Sequence, residues 1–389
     1  MRGALAAAGA AAAAAQATVA ATSPLVLWTG RVVRDEPAGR VSFDWESARA
    51  LFTVTGATSV WATLNSTFWA TPPAHAAAAN NNSSSTTTSN YARALQQSTY
   101  PKFGVYRVDV DGVRQGAPFA GVVVAHGEAE YALASGLDAS RSHTLSLWYT
   151  TDPVFNSWPD LDAGRGCMQV VAGLRTDGAF APPPPPRTRS LLVVGDSISS
   201  GNAMLKPCGN ASDCDSSRSY AALVGEAFQL NMTQLTVSSK GLVHNCCDKD
   251  APVPVLMQRT YAQDATSQWD WAATPFDAVL INLGTNDGTQ TPPADFTAAF
   301  LALMRATVRA SPPGTPIFCA YGPITDTYAP WVAAAVAAGA REGLNATLVD
   351  LMAAPLDGCG HPGVLGHPAM ARLLAPVIAN VTGWPYVLP

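Results

Sequence analysis

The stretch Leu191-Leu192-Val193-Val194-Gly195-Asp196-Ser197-Ile198-Ser199-Ser200-Gly201 constrains the fold more than any other part of the chain. Four consecutive apolar residues, two of them β-branched, read as a strand buried on both faces, as in a parallel sheet. Gly195 ends the run and permits a sharp turn. A serine therefore lies just past the carboxyl end of a strand, where open α/β sheets place their ligands. Small residues on either side let a substrate approach closely. Ser197 is thus a candidate nucleophile on a strand-to-helix turn, although the turn is not the G-x-S-x-G elbow.

Around this point the periodicity of the chain changes. Before it, from Leu25 to about Thr176, short alternating runs are separated by Gly and Asp turns. Val41-Ser42-Phe43-Asp44-Trp45, Ala50–Val54, Ser59–Leu64, Gly104–Val110, Gly121–Ala125 and His143–Tyr149 form the set. Regular short strands of this kind predict an all-β sandwich or jelly roll over 24–180. The low-complexity run at 76–90, Ala then Asn, Ser and Thr, has too little apolar content to pack and reads as a disordered insertion. Five prolines, Pro182–Pro186, make 181–188 an extended linker. Beyond it helical and strand patterns alternate: helices at Tyr220–Phe228, Phe296–Ala310, Trp331–Arg341 and Ala369–Asn380, strands at Leu235–Ser239, Ala278–Leu283, Pro316–Tyr321 and Ala346–Asp350. Alternation predicts a three-layer α/β domain with a parallel sheet over 189–389.

Composition narrows the classes of function. With 48% hydrophobic and 13% charged residues over 389 positions, the chain folds into globular domains. A net charge of -5 gives no electrostatic case for nucleic acid or an anionic membrane surface as a partner. No run of about 18 strongly apolar residues predicts a membrane-spanning helix. A monomer is expected. Residues 1–21, with Arg2, an Ala-rich middle and Val19-Ala20-Ala21, read as a secretory signal. Secretion also suits seven N-x-S/T sequons, at Asn65, Asn81, Asn82, Asn210, Asn231, Asn345 and Asn380. Of the seven cysteines, Cys208 and Cys214 flank a short polar loop and are expected to close it, while the adjacent Cys246 and Cys247 are expected to bond outward. The spacings offer no zinc site.

Several strands of the second half lead into a motif. Lys240-Gly241-Leu242-Val243-His244-Asn245 follows one, Gly284-Thr285-Asn286-Asp287-Gly288 another, and Asp357-Gly358-Cys359-Gly360-His361-Pro362 lies near the end. With Ser197, these motifs resemble the SGNH (GDSL-like) hydrolases, whose marker Ser, Gly, Asn and His fall on Ser197, Gly241, Asn286 and His361. The resemblance covers about 190–380. It implies that His361 is the base that activates Ser197, a weak nucleophile on its own. It also implies an oxyanion hole made by the Ser197 N–H, the Gly241 N–H and the Asn286 side-chain amide. Gly241 then keeps side chains out of the substrate's way.

A sandwich followed by such a domain is similar to carbohydrate esterase family two. Thr29-Gly30-Arg31, Val41–Trp45, Leu283–Asp287 and His361-Pro362 followed by Gly366-His367-Pro368 carry the likeness. It implies a secreted serine esterase that removes O-acetyl groups from acetylated polysaccharide through an acyl-enzyme, with no metal or organic cofactor. The alternatives are an SGNH esterase or lipase on small or lipid acyl esters, and a carbohydrate-binding protein without turnover. One departure stands out. Many SGNH hydrolases carry Asp three residues before the histidine, where this chain has Gly358. Asp357, one position further away, either orients His361 as a triad acid or leaves that task to a backbone carbonyl. His367 reads as structural and His244 as a cleft or surface residue. Asp196 and Asp287 read as turn holders, and Trp269 and Trp271 as core with sugar stacking as the alternative.

Overall fold

The structure, a computed structural model, describes residues 16–68, 104–116, 121–153, 167–205, 213–288 and 291–388. The expected insertion at 76–90 lies outside these residues, as does 1–15. Two antiparallel sheets form the first domain. One runs in the order Ala129–Ser135, Ser59–Phe68, Cys167–Thr176, Arg40–Phe43, Val33–Asp35; the other runs Ala179–Ala181, Arg49–Thr55, Ser142–Tyr149, Gly104–Val110, Val113–Arg114. Period-two alternation does what the sequence predicts: in Arg49–Thr55, Ala50, Phe52 and Val54 are buried and their neighbours are not. They meet Phe43, Leu64, Tyr106 and Tyr149 between the sheets.

The first described strand falls inside the span read as a leader. Ala17–Ala20 pairs antiparallel with Gly173–Thr176, and Ala21 is fully buried. These residues are built into the sandwich, which therefore begins ahead of residue 24.

The second domain is a parallel sheet in the order Leu230–Thr236, Arg189–Gly195, Ala278–Asn282, Ile317–Tyr321, Ala346–Asp350. Arg189–Gly195 lies one strand in from the edge, paired on both sides, and a separate layer covers each of its faces. Leu191 and Val193 pack against the helices Tyr220–Ala227 and Gly366–Thr382, through Val224, Met370 and Leu374. Leu192 and Val194 face the opposite layer, where Pro293–Val308 and Ala329–Arg341 contribute Phe296, Phe300 and Val332. The jelly-roll-like sandwich followed by a three-layer α/β domain is the architecture predicted.

The domains are docked. Trp45 of the sandwich belongs to the apolar core of the second domain. Arg31, only 1% exposed, donates to the carbonyls of Met257 and Arg259, each at 2.7 Å, among the rings of Trp45, Trp269 and Trp271. Those two tryptophans stack on a protein cation, Trp271 buried and Trp269 partly so. Burial lowers the Arg31 guanidinium to about 9, against the opposing pull of Asp44. After the proline run, Arg187 pairs with Glu226 and donates to the Leu230 carbonyl.

Candidate active site

Ser197 opens a four-residue helix, Ser197–Ser200, directly after the strand Arg189–Gly195. Asp196 caps it by accepting from the Ile198 N–H at 3.0 Å, and Gly201, in the left-handed region, closes it. Gly195 is needed for closeness: a Cβ there would run into the Ser199 side chain as the helix folds back on the strand. The first N–H groups of a helix have no acceptor within it, which leaves the Ser197 N–H without an intrahelical partner. Burial raises the Asp196 carboxyl to about 7, opposed by the N–H bonds it accepts and assisted by Asp287 and Asp152.

From the far end of the domain, the loop before Gly366–Thr382 delivers His361. Its Nε2 lies 2.9 Å from Ser197 Oγ, while Nδ1 meets the Cys359 carbonyl at 3.3 Å. A carbonyl can only accept, so Nδ1 carries the proton and Nε2 offers its lone pair to the serine hydroxyl. Burial lowers the His361 pKa below the usual imidazole value, against the raising effect of the Cys359 bond. A neutral imidazole aimed at a hydroxyl is what a general base requires.

Asp357 is not the third member. Its two oxygens accept from the N–H groups of Gly363 at 2.7 Å and of Leu365 and Gly366 at 2.8 Å. Burial pushes its pKa up, but these three bonds outweigh that and hold it below the ordinary carboxylate value. The triad reading of Asp357 is thereby corrected: it organises the loop, and a backbone carbonyl orients the histidine. Cys359, which supplies that carbonyl, is itself disulfide-bonded, and its N–H donates to Ala203.

Two of the three expected oxyanion donors, Asn286 and Gly241, hydrogen-bond to the protein itself. Asn286 donates one amide hydrogen to the Lys240 carbonyl at 3.0 Å. Its second hydrogen remains for a ligand. The Gly241 N–H, by contrast, already donates to Asn245 Oδ1 at 3.1 Å. It reaches an oxyanion only as a shared donor, and the motif containing Asn245 gives that residue no role in the sequence. Gly241 is also required for a different reason than the one expected. A Cβ there would collide with the His244 carbonyl and the Asp287 carboxylate. Asp287 holds this loop by accepting from Leu242 at 2.8 Å, Val243 at 2.7 Å and His244 at 3.1 Å.

The remaining candidates fall outside the reacting centre. His367 is fully buried, accepts from the Tyr220 N–H through Nδ1 at 3.1 Å, and is driven by burial to about 3. His244 is exposed, with Nδ1 2.7 Å from the Thr291 hydroxyl. Cys246 and Cys247 bond to each other on the exposed loop after Gly241, contrary to the expected outward pairing. Cys214 is a buried free thiol hydrogen-bonded to Asn202 and Asp213, so the expected link to Cys208 is absent. Among the described residues no group of three His, Cys, Asp or Glu could hold a metal ion.

Residues 193–369 match the family model described as the GDSL-like Lipase/Acylhydrolase family. The second domain is thus similar to that SGNH family over most of its length. Further relatives match a longer stretch of the chain than that domain. The Cellulase/esterase CelE of Acetivibrio thermocellus is 30% identical over 271 residues, covering 65% of this chain and 31% of that protein. The Acetylxylan esterase / glucomannan deacetylase of Cellvibrio japonicus is 26% identical over 221 residues, covering 54% of this chain and 62% of that one. The chain thus spans less than two thirds of either relative. Among solved structures, a family two carbohydrate esterase from Clostridium thermocellum, in complex with cellohexaose, superposes with a TM-score of 0.73 at 21% identity. That match takes in 92% of this chain and 99% of the other, so the sandwich and the SGNH domain share the two-domain fold together.

Proposed function

We propose that the protein is a secreted, monomeric serine esterase that removes O-acetyl groups from polysaccharide through an acyl-enzyme. The observation that carries this reading is the 2.9 Å approach of His361 Nε2 to Ser197 Oγ. In the first step His361 takes the hydroxyl proton as Oγ attacks the ester carbonyl carbon. The carbonyl oxygen becomes an oxyanion, received by the Ser197 N–H and the second hydrogen of Asn286. Collapse expels the sugar alkoxide, which recovers the proton from His361 Nε2 and leaves acetyl-Ser197. Water, deprotonated by the same nitrogen, attacks the acyl carbon, and the second collapse breaks the bond to Ser197 Oγ, which takes the proton back from Nε2 as acetate leaves. The choice of acetyl and of polysaccharide is supported by the relatives, one named an acetylxylan esterase and glucomannan deacetylase. Secretion is supported by a disulfide on an exposed loop and by exposed sequon asparagines at Asn345 and Asn380.

One observation favours a second reading. Leu356, Val364 and Leu365 are exposed, at 44%, 47% and 66%, on the loop that carries His361. An aliphatic rim suits a longer acyl chain. Acetate release from acetylated xylan and glucomannan, run beside an aryl ester series of increasing chain length, separates the two. Acetyl preference with release from the polysaccharides is the expected result, and Ser197→Ala lowers it by at least about 10³-fold. Activity that grows with chain length while the polysaccharides stay acetylated overturns the deacetylase reading.

A further inference from the structure

The helix that carries Ser197 has only four residues, Ser197–Ser200, and an isolated helix of that length has no stability of its own. Its position must come from outside. Two side-chain chains supply it, and both begin in the sandwich. In the first, Ser47 Oγ donates to Gln234 Oε1 at 2.6 Å, and Gln234 Nε2 donates to the Ser199 carbonyl at 3.0 Å. In the second, Asp152 Oδ2 accepts from both the N–H and the hydroxyl of Ser238, at 2.9 and 2.6 Å. The same Ser238 hydroxyl accepts from Asn202 Nδ2 at 2.7 Å, and the Asn202 N–H donates to the Ser197 carbonyl at 3.0 Å.

Gln234, Thr236 and Ser238 are alternate residues along and just past the edge strand, so they share one face. That face meets the sandwich, where Glu46 accepts from the Thr236 hydroxyl. All the side chains named are buried. A hydroxyl has one hydrogen, so the Asp152 carboxylate, an acceptor only, dictates that the Ser238 hydrogen points to it and a lone pair to Asn202. Ser238 also lies two residues before Lys240-Gly241, which opens the loop beside Asn286.

We propose that Asp152 of the sandwich is a positioning residue for the site, setting Ser197 and the Gly241 loop through Ser238 and Asn202. The sandwich is then a part of the catalytic apparatus, not a separable glycan-binding module. The proposal rests on the esterase reading for its turnover assay and on the reactivity of Ser197 for an independent one.

The test uses the full chain and a small aryl acetate, which has no sugar to bind. Asp152→Ala is expected to lower kcat by on the order of 10- to 100-fold, the scale of a small misplacement of the reacting groups. KM is expected to stay within about twofold. Asp152→Asn, which keeps an acceptor oxygen for Ser238, recovers most of the loss, and Asp138→Ala, on an exposed turn of the same domain, leaves kcat unchanged. The phosphonylation rate of Ser197 by a fluorophosphonate, normalised to the sites finally labelled, falls in parallel with kcat. A merely structural role would lower the unfolding midpoint and the number of sites, not the rate per site. Folded Asp152→Ala with parental kcat and labelling rate overturns the proposal. If that variant does not fold, Ser238→Ala decides, since it leaves the N–H bond to Asp152 and deletes only the hydroxyl relay; parental rates there also overturn it. A parent that hydrolyses no ester yet is labelled at Ser197 ends the esterase reading, and the labelling rates still decide the positioning claim. A parent that takes no label ends both.

Discussion

His361 must be neutral to accept the Ser197 proton, and its pKa is held below the usual 6.5 mainly by burial. The sign follows directly. Protonation removes the base, so activity is lost as pH falls through the folded pKa, and lowering that pKa moves the loss to more acid solution. The acid limb of kcat/KM for an aryl acetate is therefore expected to have its midpoint below pH 6.5. A second group near the nucleophile titrates close by: burial raises the Asp196 carboxyl to about 7. Asp196→Asn separates them, because the amide oxygen still caps the helix and cannot titrate in this range. The limb is expected to stay where it is in that variant. A midpoint above 6.5 that disappears with Asp196→Asn would transfer the limb to Asp196 and reject the assignment to His361. At this scale the sequence is informative about identity and silent about tautomer. Ser197, Asn286 and His361 are legible from their motifs, whereas the proton on Nδ1 follows only from the carbonyl it meets.

Loops show a similar division at the scale of the element. Asp357 binds the N–H groups of Gly363, Leu365 and Gly366 and so ties the loop bearing His361 to the first turn of Gly366–Thr382. This is a cap supplied from nine residues upstream, with the charge favourable to the helix dipole. Loss of such a cap costs about 1 kcal/mol, while loss of a true triad acid lowers kcat by about 10⁴-fold. Asp357→Asn is accordingly expected to shift urea unfolding by about 1 kcal/mol and to lower kcat by no more than about tenfold. A drop near four orders of magnitude with unchanged stability would restore Asp357 to the triad. The sequence could not decide between these roles because an acid four residues from a histidine reaches either the ring or the helix, and the backbone path between them chooses. The same limit explains the strands. Leu191–Val194 and Ala278–Ile281 are apolar on both faces and are read in register. The edge strand is expected at Leu235–Ser239 but runs Leu230–Thr236, because the polar residues on the face it turns to the sandwich interrupt the apolar run. Cys246 and Cys247 fail for another reason: nothing in a spacing of one distinguishes a mutual bond from two outward ones.

Across the whole molecule, what holds the two domains as one body is a set of contacts with no local signature. Arg31 reaches the Met257 carbonyl over 226 positions of sequence, and Asp44 accepts from the N–H groups of Ala262 and Gln263 at 2.9 and 3.1 Å. Thr29-Gly30-Arg31 and Val41–Trp45 can be picked out in the sequence, but their partners cannot, since a buried cation between three indoles is written in the fold alone. The energetics favour strong coupling. Two hydrogen bonds from a charged donor and several cation–π contacts leave the solvent together, and removing the guanidinium strands two carbonyls inside the interface. Arg31→Ala is expected to cost about 2–4 kcal/mol in urea unfolding. Arg31→Lys is expected to recover little, because an ammonium lacks the planar face that stacks among Trp45, Trp269 and Trp271. The parent should unfold in one transition, with tryptophan fluorescence and Ser197 phosphonylation lost at the same urea concentration. In Arg31→Ala the two signals should separate if docking is what couples the domains, with Ser197 reactivity lost first, since its helix takes its position from Ser47 and Asp152 across the same interface. An Arg31→Ala protein within about 0.5 kcal/mol of the parent, its two signals still coincident, would mean that the apolar contact of Trp45 alone couples the domains.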